Sequence, residues 1–349
     1  MPGWLRKVIF SVITALLALM VIEGGSRLLG HVDYPPDPLI EDRRSAWGRN
    51  REYDPLLFWR LRPNQYNERL ERVTNSLGLR GPEVPAKTDE EFRILSLGES
   101  STYGWKVPYE DCYSALLEIR LGSVNGKAVR VINAGVPGYT VVQGHAYLRY
   151  RGVRLEPDAV LLYFGYNDFL NVAFRERRDA LGGTGSAGLT DLELFNLRRR
   201  LPDRLASWMY LHSNLARLAG SIVHRADAPA AATAAPDDDG VRTRRNLPRV
   251  PEDDRWTSLE GILGLCEARG IDLVIVVPWY LGFEDHAPLL RRFASEHGVM
   301  IVDLPSLLEV DPGERDRYFR DLSHPNEEGH RQIAKAITSV LGDKRGNNH

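Results

Sequence analysis

The sequence predicts an α/β domain built on a mostly parallel sheet with helices on both faces. Three observations carry this. Five short apolar runs rich in β-branched residues follow residue 91. Helical patterns stand between them, and such alternation is the signature of parallel strands joined by crossovers. The runs are near-continuously apolar, as strands buried on both faces are.

The strand runs are "FRILSL" (92–97), "VRVINA" (129–134), "DAVLLYFG" (158–165), "IDLVIVVPW" (271–279) and "VMIVDL" (299–304). The helical patterns cover 109–122, 140–151, 256–269, 286–297 and 326–341. In the last, Ile333, Ala336, Ile337 and Val340 recur at i, i+3, i+4, i+7, and Gly342 supplies a stop. Residues 169–255 separate the third and fourth strands by far more than an ordinary connection. Within them, residues 192–225 read as basic amphipathic helices, and "ADAPAAATAAPDDDG" (226–240) reads as a disordered tip. This insertion is either a cap that gates the strand ends or a solvated decoration. Its Arg198, Arg199, Arg200, Arg204 and Arg217 could rest on anionic headgroups. Trp208, Met209 and Tyr210 read as local core. Deleting 226–240 leaves activity intact if that tip is only disordered.

Charges nearly balance, 45 Lys+Arg against 47 Asp+Glu, which removes any global electrostatic case for nucleic acid. Cys112 and Cys266 both lie in apolar helical patterns and read as buried free thiols. No CxxC occurs, and no histidine cluster has metal-ligand spacing, so no metal is expected.

At the N-terminus, Arg6 and Lys7 precede an unbroken apolar run, Val8 to Ile22. With its flanking Trp4, Leu5, Leu28 and Leu29 the segment approaches the length of a transmembrane helix. "IEGGSR" is a poor cleavage site for a signal peptide. The expected plan is an anchor over 1–30, an extracytoplasmic extension over 31–90 and the main domain over 91–342. The basic residues put the N-terminus in the cytoplasm and the rest on the other side of the membrane, periplasmic in a bacterium.

Ligands of a parallel α/β sheet bind beyond the carboxyl ends of the strands. After the first strand stands "GESSTYG" (98–104), after the second "NAGVPGYT" (133–140), after the third "GYND" (165–168), and before the last helix "DLSHPN" (321–326). Their chemistry fits together. A serine hydroxyl, Ser100 or Ser101, needs a base, and His324 can be that base. Asp321 can orient the imidazole. A developing oxyanion needs donors, which the serine N–H, Gly138 N–H and Asn167 amide can supply. Each block alone also has a plain reading as a turn or a helix cap, and Asp168 could cap a helix.

In these blocks the chain resembles the SGNH, or GDSL-type, hydrolase superfamily. "GESSTYG" stands where that family has Gly-Asp-Ser, which makes Ser100 the nucleophile and Ser101 its neighbour. Gly138, Asn167 of "GYND", and Asp321 and His324 of "DLSH" match the remaining blocks. The resemblance runs from about Phe92 to Leu341, and "DPLLFWRLRPN" and "NSLGLRGPE" resemble the extension of membrane-anchored bacterial members. It implies a flavodoxin-like three-layer α/β/α sandwich on a five-stranded sheet. It implies lipase, thioesterase, esterase or carbohydrate acyl-esterase chemistry on an ester-bearing small molecule, lipid or glycan, with no cofactor. Glu99 replaces the family's Asp, which changes local hydrogen bonding. Thr102 excludes the Gly-x-Ser-x-Gly elbow of α/β-hydrolases. Two alternatives stay open: acyl transfer to a polysaccharide hydroxyl, and a non-catalytic binding protein on the same fold. Trp105 and Tyr139 either line a pocket or belong to the core.

Overall fold

Helix α1 occupies Gly3–Leu28 at the start of the chain. The computed structural model describes residues 3–28, 50–54, 56–66, 73–172, 188–198, 213, 244, 246–281, 286–309 and 311–346. These fall into two compact units, Met1–Trp59 with Asn196–Asp237, and Arg60–Phe195 with Asp238–His349. The insertion's Arg199, Arg200, Arg204, Trp208, Met209, Tyr210, Arg217 and the 226–240 tip lie outside the described residues, as does the side chain of Arg198.

Among the described residues no helix is long and apolar enough to cross a membrane, which corrects the spanning anchor expected over 1–30. The physical reason is length. The unbroken apolar run is Val8–Ile22. At about 1.5 Å per residue it rises only ~23 Å, against a hydrocarbon core of about 30 Å.

A small two-stranded sheet follows, β1 (Arg51–Asp54) with β2 (Phe58–Leu61). Asp54 turns it: Oδ1 accepts from Leu56 N–H at 2.9 Å and Leu57 N–H at 3.0 Å.

The five apolar runs become β3 (Glu91–Gly98), β5 (Lys127–Gly135), β6 (Ala159–Tyr163), β7 (Asp272–Val277) and β8 (Met300–Asp303), with β4 (Ser123–Val124) added at one edge. The sheet order is β4-β5-β3-β6-β7-β8. The five long strands are parallel, in the 2-1-3-4-5 order of flavodoxin-like sheets. The sheet is therefore mixed and six-stranded, not five-stranded, because β4 pairs antiparallel with β5. A tight hairpin makes it: Asn125 (φ 51°) and Gly126 (φ 76°) sit between Val124 and Lys127, the left-handed pair that a type I′ turn requires.

Helices α2 (Ser100–Tyr103), α3 (Tyr113–Leu121), α4 (Val141–Tyr150), α5 (Tyr166–Phe169), α6 (Asp191–Arg198), α7 (Glu252–Glu267), α8 (Ala287–His297) and α9 (Glu327–Gly346) surround the sheet, with two single helical turns at Leu304–Leu307 and Arg315–Tyr318. Ile94, Val131, Leu161, Val274 and Val302 face α3 and α9, meeting Tyr113, Leu117, Ile333 and Ile337 in one buried cluster. The alternate residues Leu95, Leu97, Val160, Leu162 and Ile275 are also fully buried, on the opposite face of the pleat. Three helix ends differ from expectation. α3 starts at Tyr113, after a 3-10 turn over Tyr109–Asp111, and not at 109. α7 starts at Glu252, directly after Pro251, and the acids Glu252, Asp253 and Asp254 complement the helix dipole. α9 runs past Gly342 to Gly346, so that glycine is not the stop. Cys112 and Cys266 are buried thiols.

Order 2-1-3-4-5 reverses direction between β3 and β6. In open α/β sheets ligands bind at such a reversal, beyond the carboxyl ends of the two strands. Ser100 follows β3 and Asn167 follows β6.

Candidate active site

β3 ends at Gly98, and α2 begins two residues later at Ser100. Tyr103 N–H donates to Glu99 O at 2.9 Å and Gly104 N–H to Ser100 O at 3.1 Å. Gly104, left-handed at φ 77°, stops this single turn. The turn needs close approach on two sides. A Cβ on Gly98 would lie 2.1 Å from Thr102 Oγ1, and one on Gly135 would lie 2.2 Å from Tyr103 N. Both glycines face each other in the β3–β5 register. Ser100 is thereby aimed out of the strand end while only 8% exposed.

His324 Nε2 lies 2.9 Å from Ser100 Oγ. On the other side of the ring, Nδ1 lies 2.7 Å from Asp321 Oδ2 and 2.9 Å from Oδ1. With the Nδ1 proton on the aspartate side, Nε2 presents its lone pair to the serine hydroxyl. Asp321 also accepts from the backbone N–H groups of Ser323 and His324, both at 2.9 Å, so the four-residue loop closes on its own carboxylate. Burial alone would raise Asp321, but the Ser323 N–H and the His324 ring outweigh it and hold the carboxyl below its ordinary value. The Asp321 side chain is 53% exposed and the His324 side chain 22%. Ser101 does not reach the imidazole; its hydroxyl donates to Ser323 O at 2.8 Å.

The two other expected donors flank this pair. Val136 N–H donates to Gly98 O at 3.0 Å, which pins the second loop beside the nucleophile turn. Tyr139 N–H then closes on Val136 O at 3.1 Å. Pro137 and Gly138 (φ 83°) occupy the central positions, the type II pattern that demands a left-handed third residue. On the other side, Asn167 N–H donates to Glu99 Oε2 at 3.3 Å, and Asn167 Nδ2 makes a short bond to the same oxygen. One amide hydrogen of Asn167 thus goes to Glu99.

Glu99 has a clear structural task. Its Oε2 holds Asn167, and its Oε1 accepts a short hydrogen bond from the Tyr280 hydroxyl. Burial pushes the carboxyl up to about 7, opposed by the bonds from Tyr280 and Asn167. Tyr280 also accepts from Tyr166 N–H at 3.3 Å. Asp168 caps a helix, though a distant one: Oδ1 accepts from Val141 N–H of α4 at 2.9 Å, and burial pushes Asp168 up to about 7 as well.

Sequence reasoning missed Tyr280. It missed Arg249 too, whose Nη1 donates to Gly138 O at 2.9 Å. Both are aromatic or charged residues on segments with no active-site signature. Tyr139 is fully buried and belongs to the core. Trp105 is half-buried, its ring 6.4 Å from that of His324, at the rim of the site. Among the described residues no group of His, Cys, Asp or Glu could hold a metal ion. The arrangement offers a hydroxyl, a base with an oriented tautomer, and hydrogen-bond donors beside them, which is the equipment of acyl transfer through a serine.

A family model described as the GDSL-like Lipase/Acylhydrolase family matches residues 96–332. Two solved structures are similar across most of their own length. One is an alpha/beta hydrolase enzyme from the metagenome of Lake Arreo, Spain, at 18% identity, covering 72% of this chain and 95% of that one, with a TM-score of 0.42. The other is an acetylxylan esterase from Geobacillus stearothermophilus, at 17% identity, covering 72% of this chain and 94% of that one, also with a TM-score of 0.42. No curated protein matches the chain.

Proposed function

The chain belongs to the GDSL-like lipase/acylhydrolase family and is an ester-hydrolysing enzyme, and from that premise we propose that it works through an acyl-enzyme on Ser100. The observation that carries the reading is the continuous line from Ser100 Oγ through His324 to Asp321, at 2.9 and 2.7 Å. Ser100 Oγ attacks the ester carbonyl carbon while His324 Nε2 takes its proton. The carbonyl oxygen becomes an oxyanion between Ser100 N–H, Gly138 N–H and Asn167 Nδ2. The bond to the alkoxy oxygen breaks, and His324 returns the proton to that leaving group. Water repeats the sequence on the acyl-enzyme and frees the acid. Asp321 keeps the imidazole in the productive tautomer and stabilises the imidazolium.

Ser100→Ala should abolish hydrolysis of p-nitrophenyl acetate and labelling by a fluorophosphonate. A Ser100→Ala protein that kept the wild-type rate would overturn the assignment. The substrate class in this proposal is an ester on a small molecule, lipid or glycan. A chain-length series of p-nitrophenyl esters, run beside acetylated oligosaccharides, ranks these.

Membrane attachment through α1 is part of the same proposal. Among the described side chains, Phe10, Leu17, Leu19, Met20, Val21 and Ile22 are exposed. A helix apolar on every side wants an apolar environment. The full chain should sediment with membranes; recovery in the soluble fraction would count against attachment.

A further inference from the structure

Arg249 is 0% exposed, and so is its partner Asp191. The pair is forked: Nη2 lies 2.8 Å from Asp191 Oδ2 and Nε 3.4 Å from Oδ1. Nη2 also donates to Gln143 Oε1 at 3.2 Å, and Nη1 donates to Gly138 O at 2.9 Å. Asp191 in turn accepts from Thr140 Oγ1 at 2.9 Å. Thr140 and Gln143 form the capping box at the start of α4, immediately after the Gly138 turn. The Gly138 carbonyl and the Thr140 and Gln143 side chains therefore all end on one buried ion pair.

Neither member of the pair comes from the strand ends. Both belong to the two flanks of the long insertion. The flanks are joined as a short antiparallel neck: Val172 N–H to Leu247 O at 2.9 Å, Arg249 N–H to Leu170 O at 2.7 Å, Asp191 N–H to Arg249 O at 2.8 Å and Val250 N–H to Asp168 O at 3.0 Å. A buried ion pair is weak evidence for stability, since desolvation offsets most of its attraction. Its forked geometry does fix direction, because a guanidinium held on two edges cannot swing.

We propose that Arg249, locked by Asp191, is a positioning residue that holds the Gly138 turn so that the Gly138 N–H stays aimed at the oxyanion beside Ser100. This rests on the reading of Gly138 as an oxyanion donor. The Arg249 bond fixes the peptide after Gly138, and the Val136 bond to Gly98 fixes the peptide before the turn. The left-handed glycine between them is the one soft point, and it is held from both sides. A misplaced donor of this kind costs roughly 10- to 100-fold in rate.

The test uses the full chain with two variants. The double variant Asp191→Leu/Arg249→Met removes both charges together, so no unpaired charge is left buried and folding is spared. Arg249→Lys keeps a charge but cannot serve the fork and Gly138 at once. Kinetics on p-nitrophenyl acetate are paired with inhibition by phenylboronic acid, whose tetrahedral adduct on a serine presents an oxygen to the same donors. The expected result is kcat lowered 10- to 100-fold with KM within twofold, and boronate affinity lowered by the same factor as kcat/KM. Rates within twofold of wild type in either folded variant would overturn the proposal, as would a loss that merely follows the unfolded fraction by circular dichroism. If the double variant does not fold, Arg249→Lys decides by the same readings. Ser100→Ala in the same assay separates this from the acyl-enzyme reading: an active Ser100→Ala protein refutes that reading, whatever Arg249 does.

Discussion

Ser101 donates its hydroxyl to the carbonyl of Ser323 at 2.8 Å, across 222 positions of sequence. The residue after the nucleophile is thus tied to the residue before the base. The nucleophile turn and the base loop cannot drift apart without breaking a buried bond. Ser101→Ala should lower kcat by less than about tenfold and cost about 1 kcal/mol of stability, the typical worth of one hydrogen bond. Ser100→Ala should remove turnover altogether. If both variants were equally dead in a p-nitrophenyl ester assay, the division of labour between the two serines would be wrong.

Glu99 should make stability depend on pH in a defined direction. Its carboxyl is raised from 4.5 to about 7, chiefly by burial. The folded state then holds a proton that the unfolded state has released. That contribution is fully present below about 4.5 and is lost as pH rises through about 7. Glu99→Gln has no such titration. Its stability relative to wild type should improve between pH 5 and 7, by up to about 1.4 kcal/mol per pH unit. Its kcat should fall, because Asn167 and Tyr280 donate to different oxygens of Glu99 and the amide replaces one of them by a donor. Urea melts at several pH values measure the first effect, and parallel curves for the two proteins would contradict it.

His330 runs the opposite way. It is wholly buried on α9, and Tyr113 N–H donates to its Nδ1 at 3.1 Å. Burial, with the charges of Arg320 and His324, lowers it from 6.5 to about 3. The unfolded chain therefore takes up a proton that the folded chain refuses. The linked stability is present above about 6.5 and is lost as pH falls toward about 3. His330→Gln keeps an acceptor for Tyr113 without the titration. It should gain on wild type as pH drops from 6 to 4, again by up to about 1.4 kcal/mol per unit. No change in the difference over that range would refute it.

Gly135 makes a purely steric prediction. An alanine there would set its Cβ 2.2 Å from the backbone nitrogen of Tyr103 and 2.7 Å from the carbonyl carbon of Thr102. Backbone cannot rotate away as a side-chain tip can. Gly135→Ala should push α2 off β5, costing several kcal/mol and most of the activity. Gly264→Ala is the control, since a Cβ there meets nothing within 4 Å. A Gly135→Ala protein as stable and active as that control would show the contact to be soft.

The strands were legible because a strand buried on both faces leaves a plain mark: five continuous apolar runs, each recovered within two or three residues. The blocks bearing Ser100, Gly138, Asn167, Asp321 and His324 were legible because the sheet's polarity sends every strand end to one edge. The supporting residues were not. Tyr280 reaches Glu99 across 181 positions, and its "VVPWYLG" surroundings read as core. Arg249 and Asp191 pair across 58 positions, from the two ends of the insertion and outside its amphipathic stretch. Such partners are chosen by tertiary geometry, which local pattern does not encode. β4 was missed for another reason. Its "VNGK" hairpin signal is there, but two residues are too few to show alternation. The spanning anchor was overestimated by counting flanking residues into the apolar length.

The neck of the insertion has a consequence for how this scaffold can be altered. The chain departs and returns at adjoining points, and Arg244 Nη2 meets Glu193 at 2.5 and 2.7 Å across the gap. Two chain ends held side by side make a socket. The cassette threaded between residues 193 and 244 can be lengthened, exchanged or trimmed at a closure cost that grows only with the logarithm of its length. The length between those two ends is therefore free to vary, while the sheet and the nucleophile turn stay as they stand.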